Sequence, residues 1–254
     1  AARCLSCGIC SECYQCVEAC LAGAVDHSMT SRTVSLDVGA VIMAPGFKAF
    51  DPSALAHLNY TGNPNVVTSL EFERILSASG PFQGHLVRPS DHREPEKIAW
   101  LQCVGSRDEN PCSHGYCSSV CCMIAAKQTV IAKEHSPRSL DTAVFFMDMR
   151  TPGKEFDRYY QRAEQEKGVR FIRSRVHTVE KDADDNPVLK YVTEEGSLET
   201  ETFDMVVLSV GLEITEQTLA LAENLGIDVN AHGFAGTADL SPVATSRSGI
   251  FVCG

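Results

Sequence analysis

Eleven of the chain's twelve cysteines fall in two short stretches, and this clustering constrains the fold more than any other feature of the sequence. The stretches run from Cys4 to Cys20 and from Cys103 to Cys122, and Cys253 stands alone. Secreted disulfide scaffolds are shorter and spread their cysteines more evenly. Two dense clusters in a 254-residue chain with 44% hydrophobic residues therefore indicate metal centres in a reducing cytoplasm.

The first cluster has the spacing of a ferredoxin loop. Its last four cysteines read C-x2-C-x2-C-x3-C, with which one loop wraps a cubane 4Fe–4S cluster; they are Cys10, Cys13, Cys16 and Cys20. Cys4 and Cys7 continue the same spacing upstream, so the choice of four ligands among six stays open. Leu21 stands where ferredoxins usually carry proline. The alternatives are disulfides or structural zinc, although zinc sites usually pair two C-x2-C knuckles across a longer gap.

The middle of the chain predicts an α/β unit built on a parallel sheet. Strands and helices alternate in the order strand Lys97–Val104, helix Cys121–Glu134, strand Thr142–Met147, helix 155–167 and strand Val169–Ile172. Strand–helix–strand order with this spacing is typical of a Rossmann-type βαβ unit. The residues from Val176 to Thr202 predict a β-meander with a turn at Asp184-Asp185-Asn186.

The second cysteine cluster lies between the first strand and the first helix of this unit. A dinucleotide-binding turn carries G-x-G-x-x-G there, so that the pyrophosphate approaches the helix N-terminus. In this chain the glycine pattern is missing and cysteines stand in its place. Helix N-terminal amides that favour phosphate also favour an anionic thiolate cluster. We therefore predict a second 4Fe–4S site on Cys103, Cys117, Cys121 and Cys122.

The ligand choice in the second cluster follows from position along the chain. Cys117, Cys121 and Cys122 can face one point at the start of the helix, and Cys103 approaches from the strand end. Cys112 follows an Asn-Pro pair in the loop and is predicted to be the spare. A redox-active dithiol, as in disulfide reductases, and inert thiols are the alternatives.

Charged residues near this cluster have two interpretations each. Lys127 is placed to stabilise a reduced flavin or cluster, or it is an ordinary solvent-facing helix lysine. Asp148 and Arg150, after the next strand, are compatible with reading a ribose or a phosphate, although strand ends commonly carry charges.

Two further apolar strands end at glycine, which is how a sheet presents its carboxyl edge to a cofactor. They are Ala40–Ala44, which leads to Gly46, and Phe203–Gly211. The remaining predictions are a strand over Thr33–Asp37, a loop over 51–66, a helix over Ser69–Ser79 with Ser69 as N-cap, a helix over Glu216–Leu225 and a closing strand.

Composition excludes several classes of function. The net charge is −11 with scattered acidic residues, which argues against nucleic-acid binding. No apolar run is long enough to span a bilayer, and no signal peptide is visible. The chain starts at Ala1 without methionine and stops at Gly254 just after a strand, so we expect it to be a piece of a longer polypeptide.

Taken together, the sequence resembles the A subunit of heterodisulfide reductase and its relatives in sulfur-metabolising bacteria and archaea. The segments that carry the resemblance are Arg3–Cys10, Val41–Phe47, Leu101–Asp108 with Cys117, Cys121 and Cys122 downstream, and Val206–Leu212. The first segment alone also resembles glutamate-synthase small-subunit relatives. The resemblance implies a fold like that of the pyridine nucleotide-disulfide oxidoreductases, with FAD and several 4Fe–4S clusters.

The resemblance also implies site residues. The family's second cubane matches the same four cysteines of the second cluster, and its flavin-proximal helix lysine matches Lys127. The places where the family's chain passes FAD match Pro45, Gly46, Val210, Gly211 and Gly254. The glycine-rich loop that grips the FAD pyrophosphate is absent from these 254 residues, so FAD is expected for the intact protein.

These observations predict four segments and one principal function. The segments are a ferredoxin-like iron–sulfur segment (1–27), part of an FAD domain (28–94), a Rossmann-like unit (95–202) and a return to the FAD domain (203–254). The function implied is a cytoplasmic electron-transfer subunit that relays, and in some members bifurcates, electrons. Its partners would be a hydrogenase or formate-dehydrogenase type donor and a disulfide or quinone-linked acceptor. The alternatives are an NAD(P)H-dependent dithiol–disulfide oxidoreductase, an electron-transfer protein similar to the glutamate-synthase small subunit, and a zinc-stapled interaction module.

Overall fold

The computed structural model describes residues 14–253. The chain divides into two compact units, which separate between Val41 and Ile42. In the described part of the first unit, the regular structure is one short helix, α1 (Gln15–Glu18). The strand predicted over Thr33–Asp37 is wrong: these residues form no strand, and Val34 and Leu36 are exposed. Alternating hydrophobic residues do not make a strand without a neighbouring strand to pair with.

The second unit holds most of the regular structure. Its helices are α2 (Ser69–Leu76), α3 (Cys121–His135), α4 (Phe156–Gln165) and α5 (Glu216–Leu225). The strands, numbered from the boundary between the units, are β1 (Val41–Met43), β2 (Lys48–Ala49), β3 (Val66–Thr68), β4 (Lys97–Val104), β5 (Asp141–Phe146), β6 (Arg170–Arg173), β7 (Thr178–Lys181), β8 (Pro187–Val192), β9 (Leu198–Thr202), β10 (Met205–Val210), β11 (Leu212–Glu213), β12 (Thr237–Ala238), β13 (Ser241–Thr245) and β14 (Ile250–Val252).

A five-stranded parallel sheet forms the centre of this unit. Its strand order is β3-β10-β4-β5-β6, and every neighbouring pair is parallel. Helix α3 connects β4 to β5 and α4 connects β5 to β6, which is the βαβ order that parallel pairing requires. The predicted α/β fold with a Rossmann-type unit is therefore confirmed. All carboxyl ends of these strands meet at one edge of the sheet, where a Rossmann fold binds its ligand.

The sheet is buried on both faces, so its strands read as continuous apolar runs rather than as alternating ones. Ile98 and Trp100 of β4 pack with α2, α3 and α4 on one side. Ala99 and Leu101 pack on the other side with Leu189 of the antiparallel meander β7-β8-β9. This three-layer arrangement fixes the carboxyl edge of the sheet in place.

Smaller sheets account for most of the strands that the sequence did not reveal. Strands β1, β14, β13 and β12 lie side by side in that order, and β2 pairs antiparallel with β11. Strand β3 begins at Val66, the last residue of the stretch predicted as loop. The helix predicted over Ser69–Ser79 is α2, but its N-cap is Thr68, whose hydroxyl oxygen accepts the Glu71 backbone N–H in a capping box.

Candidate functional site

Cys103 lies at a β-bulge near the carboxyl end of β4. Leu208 of β10 is opposite Leu101, but Val210 is opposite Val104, so β4 has one extra residue at this point. Cys103 itself has φ of +62°, a left-handed conformation that is uncommon for a residue other than glycine. Bulges beside active sites re-aim a side chain. The bulge therefore changes the direction of the chain where the first predicted ligand stands.

The loop between β4 and α3 is held by hydrogen bonds to the rest of the sheet edge. The backbone N–H of Leu212 donates to the Ser118 hydroxyl at 2.9 Å, and that hydroxyl lies 2.7 Å from the hydroxyl of Ser106. The hydroxyl of Tyr116 donates to the Leu212 carbonyl at 2.9 Å. These bonds fix the loop on both sides of Cys117, whose sulfur accepts the N–H of Ser119 at 3.4 Å.

The remaining two predicted ligands occupy the first turn of α3. The Cys121 thiol donates to the Val210 carbonyl at 3.5 Å, at the end of β10. The Cys122 thiol donates to the Asp148 carbonyl at 3.9 Å, just after β5. Both side chains are buried. The helix start thus places two thiols between the carboxyl ends of two strands, and their backbone lies where the helix dipole favours anions.

Electrostatics show that the four predicted ligands form one group. Burial is the main cause that raises the pKa of Cys121 to about 12, and the neighbouring Cys103, Cys122 and Cys117 contribute to that rise. Burial is also the main cause of the raised pKa of Cys103 and of Cys122, and Cys117 adds to both. The thiols at these three positions are therefore protonated at neutral pH, and iron binding must displace their protons.

Cys112 does not belong to this group. Its side chain is buried in the core on the meander side of the sheet. Burial raises its pKa, and the charged neighbours that act on the thiol are Asp108, Arg175 and Glu213. No cysteine is among the groups with the largest effects on its pKa. This placement supports its role as the spare cysteine, which stays a prediction.

A charged group borders the four thiols. The carboxylate of Asp148 pairs with the guanidinium of Arg107 and, at 3.2 Å, with that of Arg150. Burial acts to raise the pKa of Asp148, but hydrogen bonds from Arg150 and Arg107 outweigh it and hold the pKa below its usual range. Sequence reasoning considered Asp148 and Arg150 only as nucleotide contacts and missed Arg107, because nothing in the sequence shows that these residues meet.

The donor set fits a cubane better than a zinc ion. A zinc site needs its ligand sulfurs about 2.3 Å from one ion. Within residues 14–253, no three Cys, His, Asp or Glu side chains are arranged to hold a single metal ion. In a cubane each cysteine binds a different iron atom, so the four sulfurs lie farther apart. Four grouped thiols have the chemistry of cubane ligands.

The first cluster is only partly within the described residues. Cys10 and Cys13 lie outside them. Cys16 lies in α1, and Cys20 follows the end of that helix. The Cys16 sulfur is 3.1 Å from Nε2 of His27, and the Cys20 sulfur accepts the Ala24 N–H at 3.3 Å. Backbone N–H groups, that of Ala24 first, lower the pKa of Cys20. Amides aimed at a thiol sulfur favour the thiolate that binds iron.

The predicted flavin contacts have different surroundings. Gly46, after Pro45, has φ of +76° and open space where a side chain would stand. Gly211 has an internal reason to lack a side chain, because a Cβ there would lie 2.4 Å from the Ser106 hydroxyl oxygen. Val210 is buried, and Gly254 lies outside the described residues. Open space at Gly46 is compatible with a flavin, and the assignment of all these contacts stays a prediction.

Lys127 is on α3, on the side that faces α2. Its ammonium group pairs with the Glu73 carboxylate at 2.6 Å, and both side chains are about half exposed. Glu73 also accepts a hydrogen bond from the buried amide of Gln128, which in turn accepts from the Trp100 indole N–H at 3.1 Å. The lysine is thus held on the outer surface of the unit, and its flavin role stays a prediction.

Comparison with known proteins agrees with this geometry. The family model described as "Pyridine nucleotide-disulphide oxidoreductase" matches residues 115–254. The iron-sulfur A subunit of the CoB–CoM heterodisulfide reductase of Methanocaldococcus jannaschii is 36% identical over 99% of this chain. A protein of Archaeoglobus profundus, named as similar to the heterodisulfide reductase A subunit, is 38% identical over 94% of it. The A subunit of the H2/formate:CoB-CoM heterodisulfide,ferredoxin reductase of Methanococcus maripaludis is 37% identical over 92% of it.

These matches confirm the predicted resemblance to the heterodisulfide reductase A subunit, and at the level of the family they confirm the oxidoreductase class. The chain spans 36–38% of the length of these curated relatives. Among residues 14–253, no helix combines the length and the apolar character that crossing a bilayer requires.

Proposed function

Because the chain belongs to the pyridine nucleotide-disulphide oxidoreductase family, we propose that it is an iron–sulfur flavoprotein subunit that relays electrons between FAD, 4Fe–4S clusters and partner proteins. The observation that carries this proposal is the group of four thiols at the carboxyl edge of the parallel sheet, where a family member of ordinary sequence would bind a nucleotide phosphate. A cluster in that place makes the edge an electron-transfer site.

The proposal assigns one 4Fe–4S cluster to each cysteine group. The first is held by Cys10, Cys13, Cys16 and Cys20, and the second by Cys103, Cys117, Cys121 and Cys122. Hydrogen bonds from backbone N–H groups to sulfur, as at Cys20 and Cys117, stabilise thiolate ligands and tune cluster potentials.

FAD belongs to the same proposal. When bound, it supplies the exchange between two-electron chemistry and the single electrons that clusters carry. The residues assigned to it are Pro45, Gly46, Lys127, Val210, Gly211 and Gly254. The chain's own part is to hold the sheet edge rigid: the Gly211 N–H donates to the Val104 carbonyl at 2.7 Å, and its carbonyl accepts from the Phe50 N–H at 2.9 Å.

The proposed partners follow from the relatives. Their names include H2, formate, ferredoxin and a heterodisulfide. We assign to this protein an electron donor of the hydrogenase or formate-dehydrogenase type and a disulfide or quinone-linked acceptor subunit. Electron bifurcation at the flavin is a further part of the proposal. The proposed location is the cytoplasm, which agrees with the eight free cysteines among residues 14–253.

A dithiol–disulfide oxidoreductase is the second candidate, and the thiol environment argues against it. Reactive dithiols have a lowered pKa, because the thiolate is the nucleophile. Burial instead raises the pKa of Cys103, Cys121 and Cys122. Such thiols are poor nucleophiles at neutral pH, whereas coordination to iron overcomes the raised pKa.

Anaerobic purification followed by iron, sulfide and flavin analysis and EPR spectroscopy tests the proposal. Two cubanes require at least about eight iron atoms and eight sulfides per chain, together with FAD and two EPR signals after reduction. A metal-free protein whose cysteines titrate with thiol reagents would support the dithiol reductase instead. A colourless zinc protein would support the interaction module.

A further inference from the structure

Asp148 and Arg150 follow the second strand of the Rossmann unit, where a dinucleotide-binding protein recognises the ribose. In this chain they face the cysteines. The Asp148 carbonyl accepts from the Cys122 thiol, and its carboxylate binds the guanidinium groups of Arg107 and Arg150. The strand end that recognises the ribose in a dinucleotide-binding protein therefore contacts Cys122 in this chain.

The charged group lies beside the thiols. The Asp148 carbonyl oxygen is 3.9 Å from the Cys122 sulfur, and the Asp148 carboxylate holds the guanidinium groups of Arg107 and Arg150 at this position. Burial raises the pKa of Cys103, and the positive charge of Arg107 opposes that effect. Asp148 raises the pKa of Arg150, and Cys117 adds to the rise. The two guanidinium groups therefore act on different members of the ligand set.

The net charge of Arg107, Asp148 and Arg150 is opposite in sign to that of a 4Fe–4S cluster. A cubane with four thiolate ligands is an anion, and one-electron reduction adds a further negative charge. Arg107, Asp148 and Arg150 together carry one net positive charge. The side chain of Arg107 is 23% exposed and those of Asp148 and Arg150 are 45% and 46% exposed, so they lie at the rim of the site. Net charge and hydrogen bonds to sulfur are two of the factors that set a cluster's reduction potential.

We propose that Arg107 and Arg150, held in place by Asp148, form an arginine clamp that raises the reduction potential of the cluster on Cys103, Cys117, Cys121 and Cys122. The clamp rests on the proposed function, since it acts on the cluster assigned there. Its members are positioning residues: they stabilise the reduced cluster by charge and do not ligate iron.

EPR-monitored redox titration of the anaerobically purified protein tests the clamp. In R107Q and in R150Q, the ratio of reduced to oxidised second cluster at the wild-type midpoint is expected to fall about tenfold, which is a 59 mV lower midpoint for a one-electron couple. R138Q is the matched control, because Arg138 pairs with Glu94 and Glu96 before the amino end of β4.

Unchanged midpoints in both arginine variants, with iron content equal to that of the wild type, would overturn the clamp. If R107Q or R150Q fails to retain the cluster, R107K and R150K keep the positive charge and are expected to hold the midpoint close to that of the wild type. A full tenfold fall of the ratio in these lysine variants would also overturn the clamp, because they keep the positive charge through which it acts.

A wild-type protein without a second EPR signal would refute the proposed function itself. This result distinguishes a failure of the proposed function from a failure of the clamp.

Discussion

At the scale of single residues, the site depends on backbone conformations that no sequence pattern announces. Positive φ angles occur at four non-glycine residues between the end of β4 and the start of α3: Cys103, Arg107, Ser113 and Ser119. Each such backbone conformation costs on the order of 1–3 kcal/mol and persists only where the surrounding structure imposes it. Residues of this kind cluster at functional sites. The position of Cys103 at the strand end is predictable from the sequence, but only the structure shows the bulge that re-aims it.

Gly211 gives a prediction at this scale. A Cβ there would lie 2.4 Å from the Ser106 hydroxyl oxygen and 2.8 Å from the Gly105 carbonyl oxygen. Because the second of these atoms is backbone and cannot swing away, Gly211→Ala is expected to destabilise the fold by about 1–3 kcal/mol. Chemical denaturation of the purified variant measures this loss.

Gly39→Ala is the control for this substitution. A Cβ at Gly39 meets nothing within 4 Å, and its backbone is not in the left-handed region. The control is expected to change the free energy of unfolding by less than about 0.5 kcal/mol. Equal stability of the two variants would show that the close approach at Gly211 does not exist.

At the scale of secondary-structure elements, long patterns were predicted well and short ones were not. The predicted bounds of β4 and α5 are the observed ones, because each has a continuous apolar or amphipathic pattern with clear ends. Strand β3 is three residues long and follows a run of turn residues, so the sequence pattern there favours a loop. Its burial comes from β10, a neighbour more than a hundred residues later in the chain.

The N-cap of α2 gives a prediction for an element. The Thr68 hydroxyl accepts the Glu71 N–H at 3.2 Å, and the Glu71 carboxylate accepts the Thr68 N–H at 2.7 Å. Thr68→Ala removes one half of this box and is expected to cost about 1 kcal/mol of stability. Thr68→Ser keeps the oxygen and should retain most of it. Thermal unfolding of both variants measures the difference, and equal losses would contradict the cap.

A second element-scale prediction concerns the ion network at the amino ends of the strands. Burial opposes ionisation of Glu201 on β9, but hydrogen bonds from Lys97 and Arg170 outweigh it and hold its pKa below the usual range. A lowered pKa means that the stabilisation is present above the unfolded-state value of about 4.3 and is lost as pH falls through the folded-state value. Glu201→Gln is expected to cost about 1–2 kcal/mol at pH 7.

The pH dependence distinguishes this network from simple packing. The difference in unfolding free energy between wild type and Glu201→Gln should have its full size at about pH 7 and should disappear below about pH 4. Denaturation at several pH values measures this difference. Glu199→Gln, at an exposed position on the same strand, is the matched control and should have little effect at any of them. A difference that stays constant from about pH 7 to about pH 3 would contradict the ionic role.

At the scale of the whole molecule, stability and chemistry lie at opposite edges of one sheet. The amino ends of β4, β5 and β6 carry the network of Lys97, Asp141, Arg170 and Glu201. The carboxyl ends of β4, β5 and β10 surround the thiols. This separation predicts that the Glu201 variant alters unfolding and leaves iron content unchanged.

Some features of the site were predictable from the sequence, and others were not. Cysteine spacing and the missing glycine loop were enough to propose the metal pocket and its four ligands. The arginine clamp, the bulge and the surroundings of Cys112 depend on contacts between residues more than 40 positions apart, such as Arg107 with Asp148 and Cys112 with Arg175. Such contacts arise from the packing of strands and helices, which one sequence does not reveal.

The most direct test of the central claim compares Cys121→Ser with Cys112→Ser in anaerobically purified protein. EPR spectra and iron and sulfide content report each cluster. Cys121→Ser is expected to lose one cluster signal and about four iron atoms while the other signal remains, because it removes one of the four ligands. Cys112→Ser is expected to keep both signals. An unchanged spectrum in Cys121→Ser, or loss of the same cluster in Cys112→Ser, would contradict the assignment of the second cluster.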